Sequence, residues 1–483
     1  MMRYLLVLNF IFSIVIVFFQ RRDPKAVWTW LLVLYFIPIF GFLMYLLICQ
    51  DFQRRKMFRV REVEDALWGA IAGQEDALRK ERAVMDPAIQ KKYDDLAFYN
   101  LETSQAVLTV ENTVDVFTEG EKLFGDLLDE MGRATDHIHI QYYIIKHDEL
   151  FQAMMPVLER KAAQGVEVRI LYDGMGSRFV PERVWRRLRR AGVKTGEFFP
   201  ALFGRLHLRI NYRNHRKIVV VDGRIGYVGG FNIGKEYLGR DKWFGHWRDT
   251  HLKLTGQSAV SLQMRFALDW HYATKENLFL SQEYFGGRGV FPSRSLGEAK
   301  KPLGVQIISS GPDTVARQIR NNYLELFYKA SDHIYVQTPY FVPDDAVLTA
   351  LKQAAMSGVR VMLMIPCKPD HPFVYWASYS YLGDLLRAGA RCFTYEGGFL
   401  HAKGVCVDGE VACYGTANMD IRSFELNFEV NAVVYDCGTV QELERIFIED
   451  LKECKEVTPE IYANRSLYVR IREQTSRLLS PLL

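Results

Sequence analysis

Cysteine is sparse and unpaired in this chain: seven residues, at positions 49, 367, 392, 406, 413, 437 and 454, with no CxxC spacing and an odd total. A disulfide scaffold is a poor fit, and reduced thiols facing a cytoplasm suit the pattern better. No GxxxxGK[ST] loop occurs, so a nucleotide-dependent reaction is not expected. An excess of one sign of charge is lacking as well. The formal net charge of +4 over 483 residues is small and gives no reason to expect a nucleic-acid partner. The eleven histidines follow no zincin or Cys/His spacing, so no metal is expected, and no cofactor of any kind.

Apolar residues are plentiful, at 49%, and the length exceeds one average domain. Two apolar runs open the chain. Tyr4 to Phe19 is interrupted only by Asn9 and Ser13, and Ala26 to Cys49 carries no charge. A bilayer takes about 20 helical residues, so both are read as transmembrane helices joined by Gln20 to Lys25. No small-residue cleavage site separates them. Basic residues Arg54, Arg55, Lys56, Arg59 and Arg61 follow the second run, which puts both ends inside and the catalytic region on the cytoplasmic side of the cell membrane.

Residues 51–105 read as a surface-lying helical connector without chemistry. From about Ala106 short β-branched runs alternate with helical segments, an α/β pattern. It occurs twice. His137-Ile138-His139-Ile140-Gln141-Tyr142-Tyr143 parallels His333-Ile334-Tyr335-Val336-Gln337-Thr338-Pro339-Tyr340, and each is followed by a helix, a Gly-Val-x-Val strand at Gly165 or Gly358, and a His-x-Lys strand. Order and spacing are both kept, and two copies suggest a pseudo-twofold pair of domains. The expected division is a hairpin over 1–50, the connector over 51–105, and domains over 106–300 and 301–483.

The first motif reads His215-Arg216-Lys217-Ile218-Val219-Val220-Val221-Asp222-Gly223 and the second His401-Ala402-Lys403-Gly404-Val405-Cys406-Val407-Asp408-Gly409; an Asn, Asn232 or Asn418, lies 17 residues beyond each His. On a strand, His and Lys at i and i+2 share a face. A neutral imidazole is a nucleophile or base near pH 7, while lysine and an Asn amide can donate to phosphate oxygens. Two histidines allow one to attack phosphorus while the other protonates the leaving alcohol and deprotonates the incoming one. A lysine beside each His would also repel a divalent cation. Each imidazole needs an orienting carboxylate, for which Asp249 and Glu429 are the candidates. Asp222 and Asp408 complete the motif and enter the candidate catalytic set, although their odd offset from the His and the following Gly suit a turn or strand end.

These paired motifs resemble the phospholipase D superfamily from about Ala106 to the carboxyl end. Arg21-Arg22-Asp23-Pro24, Trp30-Leu31-Leu32 and Ile37-Pro38 are similar to the amino-terminal hairpin of bacterial cardiolipin synthases, as are Gln141-Tyr142-Tyr143, Arg213-Asn214-His215-Arg216-Lys217 and Asn418-Met419-Asp420-Ile421-Arg422-Ser423-Phe424. The resemblance implies two α/β/α sandwich domains behind a two-span hairpin. It also implies a cofactor-free phosphatidyl transfer between two phosphatidylglycerols, giving cardiolipin and glycerol through a phosphohistidine. His215 would be the nucleophile and His401 the acid/base; phosphatidylglycerol and other anionic phospholipids are the expected partners. Ala402 stands where many members have Ser, at a position taken to point outward. Phe198 to Phe203, flanked by Arg186, Arg187, Arg189, Arg190, Lys194, Arg205 and Arg209, is either a membrane-inserting tip or core aromatics beside a solvated helix face. A phospholipase D-type hydrolase, a phosphatidylserine-forming transferase, a nuclease and an inactive membrane scaffold are the competing functions.

Overall fold

The structure, a computed structural model, describes residues 2–19, 24–39, 41, 85–200, 211–285, 303–314 and 316–480. The basic connector at 20–23, the end of the second apolar run, residues 51–84, and positions 201–210 of the aromatic loop and its flank lie outside the described residues. Helices α1 (Met2–Phe19) and α2 (Pro24–Phe36) pack through Ile16, Trp30 and Leu34. The amide of Asn9 donates to the carbonyls of Leu34 and Pro38 at 3.0 and 3.2 Å, so the one strongly polar side chain of the first run is spent between the helices. Among the described residues no helix is long and apolar enough to cross a membrane.

The surface-lying connector needs correction at its far end. The helix Pro87–Ser104, capped by Asp86, buries Tyr93, Leu96, Ala97 and Leu101 in the main core. The near-helical spacing of those residues forms one apolar stripe. Lys92 reaches Asp408 at 2.6 Å and Glu410 at 2.8 Å, and Asn100 donates to Asn322 at 2.9 Å. This helix is therefore part of the second half's packing.

The first half contains β1 (Asn112–Phe117), β2 (His137–Tyr142), β3 (Glu167–Asp173), β4 (Lys194–Phe198), β5 (Arg213–Asn214), β6 (Ile218–Val221), β7 (Ile225–Gly229), β8 (Trp247–Arg248) and β9 (His251–Gly256). The second contains β10 (Gly304–Ser310), β11 (His333–Gln337), β12 (Phe341–Val342), β13 (Arg360–Pro366), β14 (Arg391–Tyr395), β15 (Phe399–Leu400), β16 (Gly404–Val407), β17 (Val411–Gly415), β18 (Met419–Asp420), β19 (Asn427–Tyr435) and β20 (Cys454–Val457). The first sheet runs β1-β9-β7-β6-β2-β3-β4 and the second β10-β19-β17-β16-β11-β13-β14-β20. Strand for strand the two orders coincide, β20 being an addition at one edge. Helices cover the sheets, and the Ile-Val-Val-Val of β6 and the Gly-Val-Cys-Val of β16 are wholly buried, as central strands packed on both faces require.

Two short pairings tie the halves together. β5 lies parallel to the start of β19, Arg213 opposite Asn427, and β15 lies parallel to β8, Phe399 opposite Trp247. The chain just before each His-x-Lys thus runs beside the other half's strand, just before that strand's carboxylate. The backbone N–H of His215 donates to Phe428 at 2.9 Å, and that of His401 to Arg248 at 2.7 Å.

Candidate active site

Each motif histidine is delivered by this exchange to a carboxylate of the opposite half. His215 Nδ1 lies 2.9 Å from Glu429 Oε2, and His401 Nδ1 lies 2.6 Å from Asp249 Oδ2. The spacing along the chain, counted from each half's own Asn, gives no hint of the crossing, which follows from β5–β19 and β15–β8 pairing. Both carboxylates are fully buried. Burial opposes their ionisation, but Lys403 and His401 hold Asp249 below the ordinary aspartate range, and His215 and Lys217 do the same for Glu429. As ionised acceptors they fix the proton on Nδ1, leaving Nε2 of each ring with its lone pair and without a protein partner among the described residues.

Burial is also the main reason that both imidazoles are pushed down to about 4, only partly offset by their carboxylates. Near neutral pH the site therefore presents two unprotonated Nε2 atoms. The histidines open on one cavity of about 680 Å³, lined also by Asn232, Asn418, Tyr143, Tyr237, Trp247 and Tyr340. The Tyr143 ring stands 5.0 Å from that of His215, and the Trp247 ring 5.2 Å from that of His401.

The lysines sit behind the histidines. Lys217 Nζ donates to the His215 carbonyl at 2.7 Å, and Lys403 Nζ bonds the His401 carbonyl. Lys403 Nζ also lies 2.8 Å from His401 Nδ1 and 3.9 Å from Asp249. Since Nδ1 cannot both donate to Asp249 and accept from Lys403, its contact with the lysine is electrostatic. Desolvation pushes Lys403 down to about 8 and Lys217 well below the usual lysine value. Asn232 accepts from Ile144 N–H at 3.2 Å and donates to the Tyr237 hydroxyl at 2.9 Å. Asn418 Oδ1 has no partner among the described residues.

Asp222 and Asp408 do not line the cavity, nor do Lys217 and Lys403; each aspartate sits in a tight turn of its motif hairpin. Asp222 at φ +52° and Gly223 at φ +62° turn β6 into β7, and Asp408 and Gly409, at +54° and +66°, turn β16 into β17. Left-handed backbone is what Asp-Gly supplies in a tight hairpin. The Asp222 carboxylate accepts the N–H groups of Thr135, Asp136 and His137 at 2.9, 2.9 and 3.0 Å, and Asp408 those of Ser331, Asp332 and His333, each at 2.8 Å. Each locks the motif hairpin to the entry of the neighbouring central strand.

The position between His and Lys does not face outward. Arg216 is 2% exposed and grips Asp269 with two bonds of 2.7 and 2.8 Å, while Ala402 is fully buried. The side of the strand opposite the imidazole is covered by helix, so i+1 points into a second layer rather than into water. Gly230, within the Gly-Gly-Phe-Asn stretch, has an equally local reason: a Cβ there would come 2.0 Å from Asp249 Oδ1. Of the aromatic loop, Phe198 and Phe199 pack on Phe428 in the core, and Arg187 and Arg189 pair with Glu159 and Glu182 on a solvated helix face. For those residues the core alternative is the observed one.

The family described as "Cardiolipin synthase, PLD-like domain" matches residues 127–242 and 323–451, and that described as "Phospholipase_D-nuclease N-terminal" matches residues 7–48. A cardiolipin synthase of Oceanobacillus iheyensis is 45% identical over 99% of this chain and 98% of its own length. One of Staphylococcus aureus is 46% identical over 99% of this chain and 95% of its own. The crystal structure of phosphatidylserine synthase from Haemophilus influenzae superposes with a TM-score of 0.58 over 77% of this chain and 95% of that one at 15% identity, a likeness of fold.

Proposed function

The chain belongs to the cardiolipin synthases, enzymes built on phospholipase D-like domains, and from that premise we propose that it joins two phosphatidylglycerols through a covalent phosphohistidine on His215. The observation that carries the mechanism is the pair of imidazoles, each with Nδ1 on a buried carboxylate of the opposite half, opening on one cavity.

The phosphorus of the first lipid lies between the rings. His215 Nε2 attacks it as the bond to the headgroup glycerol oxygen breaks, and His401 Nε2 supplies the proton with which glycerol leaves. A second phosphatidylglycerol then presents a headgroup hydroxyl. His401 takes its proton, its oxygen forms the new bond to phosphorus, and the bond to His215 breaks, giving cardiolipin. At rest His401 is unprotonated and so free to accept a proton; an arriving phosphodiester anion raises its basicity, which lets the same ring begin as the acid. Lys217, Lys403, Asn232 and Asn418 are assigned to the phosphate oxygens as charge builds.

The paired apolar helices α1 and α2 support a two-span membrane hairpin, and the basic residues beyond it support a cytoplasmic catalytic region in the cell membrane. Product analysis after mixing the purified full chain with phosphatidylglycerol vesicles, chelator present and nucleotide absent, tests the reaction. Cardiolipin and free glycerol in equal amounts are expected. Phosphatidic acid as the main product would replace the transferase by a hydrolase.

A further inference from the structure

Beyond the two imidazoles, the cavity carries cations that the chemistry at phosphorus does not use. We propose that Arg178, Arg213 and Arg422, gathered around Tyr143, seat the second, unreacting phosphate: that of the lipid which accepts the phosphatidyl group. The proposal rests on the transfer reading above and names its acceptor site.

All three line the cavity that holds His215 and His401. Each is placed by a separate piece of chain. Arg213 lies in β5, two residues before His215, and donates to the Tyr212 carbonyl at 2.8 Å. Arg422 comes from the other half and crosses to Asn211, with bonds of 3.0 Å to its side chain and 2.9 Å to its carbonyl. Arg178 follows Gly176 and Ser177, which close on Tyr143: Ser177 Oγ donates to the Tyr143 carbonyl at 3.2 Å, and a Cβ on Gly176 would come 2.2 Å from that same oxygen. The Tyr143 ring, 5.0 Å from His215, lines the same cavity as the three arginines and joins this cluster to the reacting centre. Among the described residues neither Arg178, which is exposed, nor Arg422, which is half-buried, forms an ion pair with a carboxylate, so both guanidiniums reach the cavity uncompensated.

The chemistry of the reaction asks for such a site. Donor and acceptor are both phosphodiester anions, and in the product the two phosphates are separated only by one glycerol. A hydrolase has to hold one phosphate, whereas this transferase must hold two at once. The first lies between the imidazoles near Lys217 and Lys403. A second anion close by is repelled by the first unless cations stand beside it, and arginine forks match phosphate oxygens. In the step concerned, a headgroup hydroxyl of the seated lipid loses its proton to His401 Nε2, its oxygen bonds phosphorus, and the Nε2–phosphorus bond of His215 breaks. The arginines take no proton; they hold the acceptor.

Free glycerol, which carries no phosphate, separates this site from the first. It can attack the same phosphohistidine and regenerate phosphatidylglycerol, so exchange of labelled glycerol reports the covalent chemistry without an acceptor phosphate. The full chain in detergent, or in phosphatidylcholine vesicles containing phosphatidylglycerol, is assayed for both reactions on the same sample. In Arg178→Gln and Arg422→Gln the ratio of cardiolipin formation to glycerol exchange is expected to fall about tenfold, the value of one charge-assisted hydrogen bond, and Arg422→Lys is expected to restore part of it. With glycerol 3-phosphate and glycerol in competition, the unaltered enzyme should favour the phosphate-bearing acceptor and the glutamine variants should lose that preference. A ratio unchanged, whether both rates hold or both fall together, would overturn the proposal, since the cations would then serve the first phosphate or the fold alone. Failure of the unaltered enzyme to exchange glycerol at all would overturn the phosphohistidine reading itself, a result distinct from any change in the ratio.

Discussion

The two halves share one strand order yet surround their histidines differently. His215 meets Glu429, which also accepts from Thr416 Oγ1 at 2.6 Å and Asn427 Nδ2 at 3.1 Å. His401 meets Asp249, with Lys403 crowding the same nitrogen. The buried guanidinium behind each motif also comes from different chain positions. Arg216 sits inside the first motif and bonds Asp269; in the second motif Ala402 leaves that space, and Arg248, from the strand paired with it, bonds Asp450 at 2.9 Å. Gln141 and Gln337 contact those same two carboxylates at 2.6 and 2.7 Å. A duplicated scaffold thus keeps the positions of charge while changing which residue supplies them. The cavity wall differs as well: Arg178, Arg213 and Arg422 line it, and Lys403 beside His401 feels the carboxylates of Asp370 and Asp420.

The sharpest way to break this comparison is to remove the histidines one at a time. His215→Ala and His401→Ala should each lower cardiolipin formation by roughly three orders of magnitude or more. Only the His401 variant should still form the covalent intermediate; equal trapping in both would make the halves interchangeable. The paired guanidiniums come next. Arg216→Ala leaves the buried Asp269 with only Arg265, at 3.2 Å, as a cation and should cost about 3 kcal/mol, read as a lower Tm, and Arg248→Ala should cost less because Asp450 is 12% exposed while Asp269 is 0% exposed.

The orienting carboxylates rank third. Glu429→Gln and Asp249→Asn should each slow turnover about a hundredfold. Their pH profiles should differ. His215 is neutral above its value of about 4, so kcat/KM should fall as pH drops through that region, well below the 6.5 of a free imidazole. Glu429 raises that value, so Glu429→Gln should move the acid limb lower while Asp249→Asn leaves it in place; the reverse would contradict the crossed pairing. The smallest effect concerns Lys403. Its ammonium loses its proton as pH rises through about 8, so a rate that needs the cation should decline there, and Lys403→Arg, always charged, should lose that basic limb even if it is slower overall.

Much of this was legible in the residues because the repeat is written twice. Alternation of apolar strands and helices gave the α/β class, and of the doubled His-x-Lys with its Asn the histidines and asparagines line one cavity while the lysines lie behind the histidines. Local rules explain the turn role of Asp222 and Asp408, which the motif alone had placed among the catalytic candidates. The crossing of Glu429 to His215 and Asp249 to His401 was not legible, because strand pairing between distant segments leaves no periodicity in either. The burial of Arg216 and Ala402 was missed for a related reason: i+1 on a strand points away from the imidazole, but only the fold tells whether a helix or water waits there. The helix Pro87–Ser104 did carry a readable signal, its apolar stripe, obscured by the charges between.

The central claim is that one histidine, held by a carboxylate from the other half, carries the phosphatidyl group. Rapid quenching of the His401→Asn variant with phosphatidylglycerol, followed by mass spectrometry of its peptides under alkaline conditions, tests it directly. A phosphatidyl adduct on the peptide containing His215, absent from the Glu429→Gln, His401→Asn double variant at the same early times, is the predicted result. An adduct on another residue, or full product formation with no adduct at any time, would contradict it.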